Sequence, residues 1–108
     1  MPELFIPTHR APTTPGEMLL EEFLKPLGVS QLKFAKQIGV TYPRLNEIIN
    51  GKRAVSVDTA MRFARALDTS VQFWLNAQLA TDLYAAQRAP AAKAIAKIKP
   101  LPELAHAS

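Results

Sequence analysis

The chain has 108 residues, with 13 Lys and Arg against 9 Asp and Glu, and no Cys. That length fits one domain, since domains cluster near roughly 100–150 residues, and 48% apolar with 20% charged residues is a globular composition rather than a disordered one. The absence of Cys excludes a disulfide scaffold, a thiolate metal site and a cysteine nucleophile.

Strand signals are scarce, whereas helix start signals recur at short intervals. Residues 1–13 contain three prolines and no helical period, and are expected to form an extended arm. Thr14-Pro15-Gly16-Glu17 then combines a cap, a proline at the first helical position and an acid three residues after the cap. A first helix is predicted over residues 15–27, with Met18, Leu19, Phe23 and Leu27 inward, a distortion near Pro26 and a stop at Gly28. Ser30 caps a second helix, Gln31 to Ile38, whose inward stripe is Leu32, Ala35 and Ile38, with Phe34 on one flank. Gly39-Val40 breaks it. Thr41 caps a third, which tolerates Pro43 in its first turn, turns Leu45, Ile48 and Ile49 inward and ends at Asn50-Gly51. Ser56 caps a fourth with Val57, Ala60, Met61, Ala64 and Leu67 at helical spacing. Thr69-Ser70-Val71-Gln72 reads as a further capping box, opening a fifth helix that carries Phe73, Trp74, Leu75, Leu79 and Leu83 to about Ala86. Residues 14–86 thus make one all-α domain of five helices. Residues 87–108 form an Ala/Lys/Pro-rich tail expected to be flexible, in which Ala91 to Ile98 can supply a turn or two of marginal helix.

Charge is unevenly spread. Residues 1–28 carry a net −2 and residues 68–108 a net +1, while residues 29–67 hold Lys33, Lys36, Arg44, Lys52, Arg53, Arg62 and Arg65 against Glu47 and Asp58, a net +5. A basic middle third points to a polyanionic partner. It coincides with the second and third predicted helices, which are short, joined by a tight turn and followed by the basic corner Gly51-Lys52-Arg53. That is the layout of a helix-turn-helix, whose second helix enters the major groove with its first residues against base edges. A groove about 12 Å wide admits one α-helix, and the N–H groups at helix starts bind phosphates. Tyr42, Pro43, Arg44 and Asn46 are the expected base contacts: Asn46 for adenine, Arg44 for guanine or a phosphate, Tyr42 or Pro43 for a thymine methyl. Gln31, Thr41, Lys52 and Arg53 are the expected phosphate contacts.

The stretch Pro15-Gly16-Glu17-Met18-Leu19 with Glu21-Glu22-Phe23-Leu24 resembles the first helix of HigA-type (VapI-like) antitoxins of the Xre helix-turn-helix family. Leu32…Ala35…Ile38-Gly39-Val40 and Asn46-Glu47-Ile48-Ile49-Asn50-Gly51-Lys52-Arg53 are similar to their helix-turn-helix. Ser56-Val57-Asp58-Thr59-Ala60, Ala64…Leu67 and Phe73-Trp74-Leu75-Asn76 continue the likeness. It covers about Thr8 to Leu83, and departs from the family at Pro43, at Val57 in place of the usual proline and in the tail after Arg88. The resemblance implies a λ-repressor-like DNA-binding domain. It also implies an antitoxin that represses its own operon at a palindromic operator as a homodimer and neutralises a HigB-type ribonuclease toxin. Two alternatives share the fold: a stand-alone regulator with no toxin partner, and a toxin-binding module that does not bind DNA.

Other features have plainer readings. Trp74 beside Phe73 reads as a core plug, and the stripe Leu75, Leu79 and Leu83 exceeds what five helices can cover, making it the expected dimer interface. Glu21 and Glu22, adjacent on a helix, face different ways and suit its N-terminal dipole rather than a catalytic pair. With Glu17 they make the first helix acidic, and either that helix or the proline-rich arm is the expected toxin contact. Lys33 and Lys36 read as solvent-facing, and Lys93, Lys97 and Lys99 as a soluble tail, with DNA contact the alternative for both sets. His9 and His106 stand apart in terminal segments. With no clustered His, no glycine-rich phosphate loop and no metal-ligand spacing, neither an enzyme nor a cofactor is expected. No apolar run approaches the ~18 residues of a membrane span, and Met1-Pro2-Glu3 lacks a signal peptide's basic start. A soluble cytoplasmic protein is the expectation.

Overall fold

A computed structural model describes residues 11–106. Most of the expected N-terminal arm, including His9, lies outside them. Among the described residues the architecture is helical, without strands. The first rod is built from α1 (Pro15–Met18), a π-helical stretch (Leu19–Leu24) and α2 (Lys25–Leu27). There follow α3 (Gln31–Ile38), α4 (Tyr42–Ile49), α5 (Val57–Leu67), α6 (Val71–Arg88), α7 (Ala91–Ala96) and a 3-10 turn, Pro102–His106.

The starts of these helices follow from local chemistry. Thr14, Ser30, Thr41, Ser56 and Ser70 each accept a hydrogen bond from the backbone N–H three residues on, at 3.1, 3.1, 3.3, 3.2 and 3.1 Å. Each bond satisfies one of the donors a helix leaves free at its first turn. At the fifth helix the cap is Ser70, not Thr69. The Thr69 hydroxyl instead accepts the indole N–H of Trp74 at 2.7 Å, which lets that ring be fully buried.

The core gathers Leu19, Leu24, Phe34, Ala35, Ile38, Leu45, Ile48, Val55, Ala60, Phe63 and Trp74. Trp74 is its hub, with ring centroids 5.1 Å from Phe63, 5.4 Å from Phe23 and 5.0 Å from Phe73. The expectation that Trp74 plugs the core is met.

Several expected inward faces are rotated. Leu27 is 62% exposed and Leu24 takes the inward place. The physical cause is the π-helical stretch, where Lys25 N–H bonds the Leu20 carbonyl five residues back. The extra residue in that hydrogen-bonded loop shifts the apolar face, and the stretch lies just before Pro26, whose ring would crowd the Glu22 carbonyl of a regular α-helix. On α5 the inward residues are Thr59, Ala60, Phe63 and Ala64, while Val57 and Met61 face out. On α3 they are Phe34, Ala35 and Ile38, and Leu32 is exposed. On α3 and α5 the larger aromatic ring occupies the core, and its neighbours follow the helix round to solvent. The fifth helix runs to Arg88, two residues beyond the expected Ala86, and the tail contains α7 where helical turns were expected.

Gly16 is the tightest junction. A Cβ there would land on the Ile48 carbonyl and within 2.7 Å of Ile49 Cα. The start of the first rod therefore rests on the last turn of α4, backbone against backbone, and only glycine permits that approach.

Candidate nucleic-acid interface

The turn between α3 and α4 is set by Gly39, which ends α3 at φ 76°, a left-handed conformation that glycine adopts without steric cost. Arg62 of α5 closes the same helix end: its Nη1 donates to the Ile38 carbonyl at 2.8 Å while Nε pairs with Asp58 at 2.9 Å. A cation on the last carbonyls of a helix is favoured by the dipole. In the sequence Arg62 reads only as one charge of the basic middle third. A basic residue 24 positions away carries no local signal of this bond.

α4 turns Leu45, Ile48 and Ile49 into the core, as its spacing predicts. Its other face carries Tyr42 and Pro43, both exposed at the helix start. Asn46 sits at the centre of an amide chain that spans the two helices: its Nδ2 donates to Gln31 Oε1 at 3.0 Å, and its Oδ1 accepts from Asn50 Nδ2 at 3.0 Å. The chain fixes the rotamers of all three amides. With its oxygen used by Asn46, Gln31 has its NH2 as the group to offer a phosphate. Asn50 joins this site without having been singled out in the sequence, although a position four residues after Asn46 on one helix is the spacing that brings two side chains together.

Arg44 is turned differently from Asn46. Its Nη2 donates to Thr59 Oγ1 at 3.2 Å, and its Nε is buried with no hydrogen-bond partner. Thr41 spends its hydroxyl on the Arg44 backbone N–H as the helix cap. α4 ends in a left-handed turn at Gly51, where Lys52 N–H bonds the Glu47 carbonyl at 2.8 Å. That turn carries Lys52 and Arg53 past the helix end. Arg53 Nε pairs with Glu47 at 2.9 Å, leaving its other N–H groups toward solvent, and Lys52 is exposed. Lys33, Lys36 and Lys52 have no ion pair among the described residues.

The remaining candidates lie elsewhere. Leu75 packs against the core, whereas Leu79 and Leu83, four residues apart on α6, are 53% and 38% exposed. Glu17, Glu21 and Glu22 are exposed on the first rod, and Glu21 is paired with Lys25 at 2.7 Å. No helix is long and apolar enough to cross a membrane among the described residues.

Two short helices at a glycine turn, held over an aromatic core by flanking helices, define a helix-turn-helix protein. The helix-turn-helix family matches residues 20–74, slightly over half of the chain, and the chain belongs to that family. Within it, the chain is similar to virulence-associated protein I of Dichelobacter nodosus, at 45% identity over 74 residues, 68% of each chain. It is also similar to antitoxin HigA-1 of Vibrio cholerae, at 39% identity over 77 residues, 71% of this chain and 72% of that one. The solved structure of the Pseudomonas aeruginosa antitoxin HigA with the higBA promoter superposes with a TM-score of 0.77 at 38% identity, covering 83% of this chain and 98% of that one. The expected family and the all-helical fold are thereby met.

Proposed function

We propose that this protein is a sequence-specific DNA-binding antitoxin that represses its own operon as a homodimer and neutralises a ribonuclease toxin. The observation that carries the DNA reading is the amide chain Gln31–Asn46–Asn50 on the outer face of the two helices, beside exposed Tyr42 and Pro43. A buttressed Asn can present its amide to the N6/N7 edge of adenine in the major groove. Lys33 and Lys36 on one side and Lys52 and Arg53 on the other supply the phosphate contacts that set register and general affinity. Arg44 reaches a base only by leaving Thr59, so Tyr42, Pro43 and Asn46 are the first-line readers. The promoter named with the Pseudomonas aeruginosa relative supports an operator as the target.

The dimer rests on Leu79 and Leu83, whose exposed stripe on the long α6 is the kind of surface closed by two-fold association. Leu75 contributes less, being already packed on the core. Two recognition helices in such a dimer read half-sites about 34 Å apart, hence a palindrome. The toxin partner rests on the antitoxin name of the relatives, with the acidic face of Glu17, Glu21 and Glu22 as its contact. An antitoxin of this kind acts in the cytoplasm.

The test is a titration of the purified chain against the DNA upstream of its own coding sequence and against a scrambled duplex, at two salt concentrations. Preference of at least 10³-fold for the upstream DNA, the lower end for specific regulators, is the expected result. Equal binding to both overturns sequence-specific repression.

A further inference from the structure

Leu32 is predicted inward by helical spacing, yet it is 51% exposed. It stands on α3 beside Tyr42, the first residue of α4, itself 44% exposed, and the two line one cleft with Ser30 and Gln31. On its other side Leu32 borders a second cleft walled by Lys33, Lys36 and Gln37. A lone exposed leucine is ordinary. Here, however, the apolar wall adjoins Gln31, the end of the amide chain that holds Asn46, and it is flanked by two lysines without an ion pair among the described residues. Unneutralised lysines select a polyanion over an apolar protein surface. In a major groove, the one apolar group on a base edge is the 5-methyl of thymine.

We infer that Leu32 and Tyr42 form a receptor for a thymine 5-methyl group, placed so that the Asn46 amide, braced by Gln31, reads the adenine side of the same A·T-containing step. Leu32 thereby becomes a specificity residue on the first helix of the helix-turn-helix, outside the recognition helix. This inference rests on the proposed DNA-binding function and narrows it to one base type.

The experiment begins by selecting preferred duplexes from a randomised pool with the full chain. Thymines of the selected site are then replaced by deoxyuridine one position at a time, which removes only the methyl group, and each duplex is titrated with the parent and with Leu32→Ala. The expected result is one position per half-site at which uracil weakens the parent about four-fold, the value of one buried methyl. Leu32→Ala, with a melting temperature close to the parent's because the side chain is half solvent-facing, binds the thymine and uracil duplexes alike. Uracil tolerated everywhere, or a methyl preference retained in Leu32→Ala, overturns the inference while leaving DNA binding intact. Failure to enrich any sequence overturns the repressor reading and this inference with it.

Discussion

The guanidinium of Arg44, on the recognition helix, donates to the hydroxyl of Thr59 on α5 at 3.2 Å, across 15 positions of sequence. Thr59 is itself buried and accepts a second bond from Ser56 Oγ at 3.1 Å, so the start of α5 and the first turn of α4 are joined through one oxygen. The bond fixes how the recognition helix sits on its scaffold. Removing the acceptor in Thr59→Val leaves a charged donor unmatched and is expected to cost about 1–3 kcal/mol of stability. Arg44→Lys loses the planar fork that reaches Thr59. The double variant is expected to be less destabilised than the sum, with a coupling of about 0.5 kcal/mol or more. Denaturant unfolding of the four proteins measures this, and strict additivity excludes the bond in solution.

Gly16 makes a second stability prediction. A methyl at that position meets the Ile48 carbonyl, backbone that cannot move aside without displacing α4. Gly16→Ala is expected to lower stability by about 1–3 kcal/mol, the cost of overpacking. In a domain this size each kcal/mol corresponds to about 4–8 °C in Tm. Because the strain falls on the recognition helix, operator affinity is expected to drop as well. A melting curve matching the parent's contradicts the close approach.

Lys52→Ala and Asn46→Ala separate positioning from reading. Lys52 is exposed just past the end of α4 and has no ion pair among the described residues. Its loss is expected to weaken all duplexes alike and reduce the salt slope by about 1 per contact, or about 2 in a dimer. Asn46→Ala is expected to cost about 1–3 kcal/mol per half-site on the operator and little on random DNA. It also frees Gln31 and Asn50 from their shared partner. Titrations over a salt series distinguish the two behaviours, and a uniform loss for Asn46→Ala removes it from the reading surface.

Leu79→Asp with Leu83→Asp places charge on the exposed stripe of α6 without touching the core. Sedimentation is expected to show a dimer for the parent and a monomer for the variant, with helical content unchanged by circular dichroism. A parent that sediments as a monomer at tens of micromolar contradicts the stripe as an interface.

For the proposed toxin contact, Glu17 and Glu22 are more available than Glu21, which is held by Lys25. Charge reversal of all three acids is expected to slow association with a basic ribonuclease more than it speeds dissociation, since long-range charge acts chiefly on encounter. Stopped-flow binding with the purified toxin measures both rates. Unchanged association moves the contact elsewhere on the molecule.

Helix positions in this protein are determined by sequence alone, because a cap acts within three residues. Thr14, Ser30, Thr41, Ser56 and Ser70 bond the N–H groups that local spacing offers them, so the starts of four helices, the start of the fifth to within one residue, and the turn at Gly39 are legible without knowing what packs on what. The basic middle third is legible from residue counts, and α4 from its cap at Thr41 and the break at Gly39. Which side of each helix faces the core is a different matter. An apolar stripe on a short helix can be drawn in more than one direction, and the neighbours' volumes decide: Phe63 displaces Met61, Phe34 displaces Leu32, and the π-helical stretch before Pro26 exchanges Leu24 for Leu27. The bonds of Arg44 to Thr59 and of Asn46 to Gln31 each join residues 15 apart. They exist only because α4 is seated against α3 and α5 at one particular angle. Tertiary structure thus decided which polar side chains stand on the outer face of the two helices and which brace α4 from behind, since long-range contacts depend on helix crossing geometry, which no local spacing encodes.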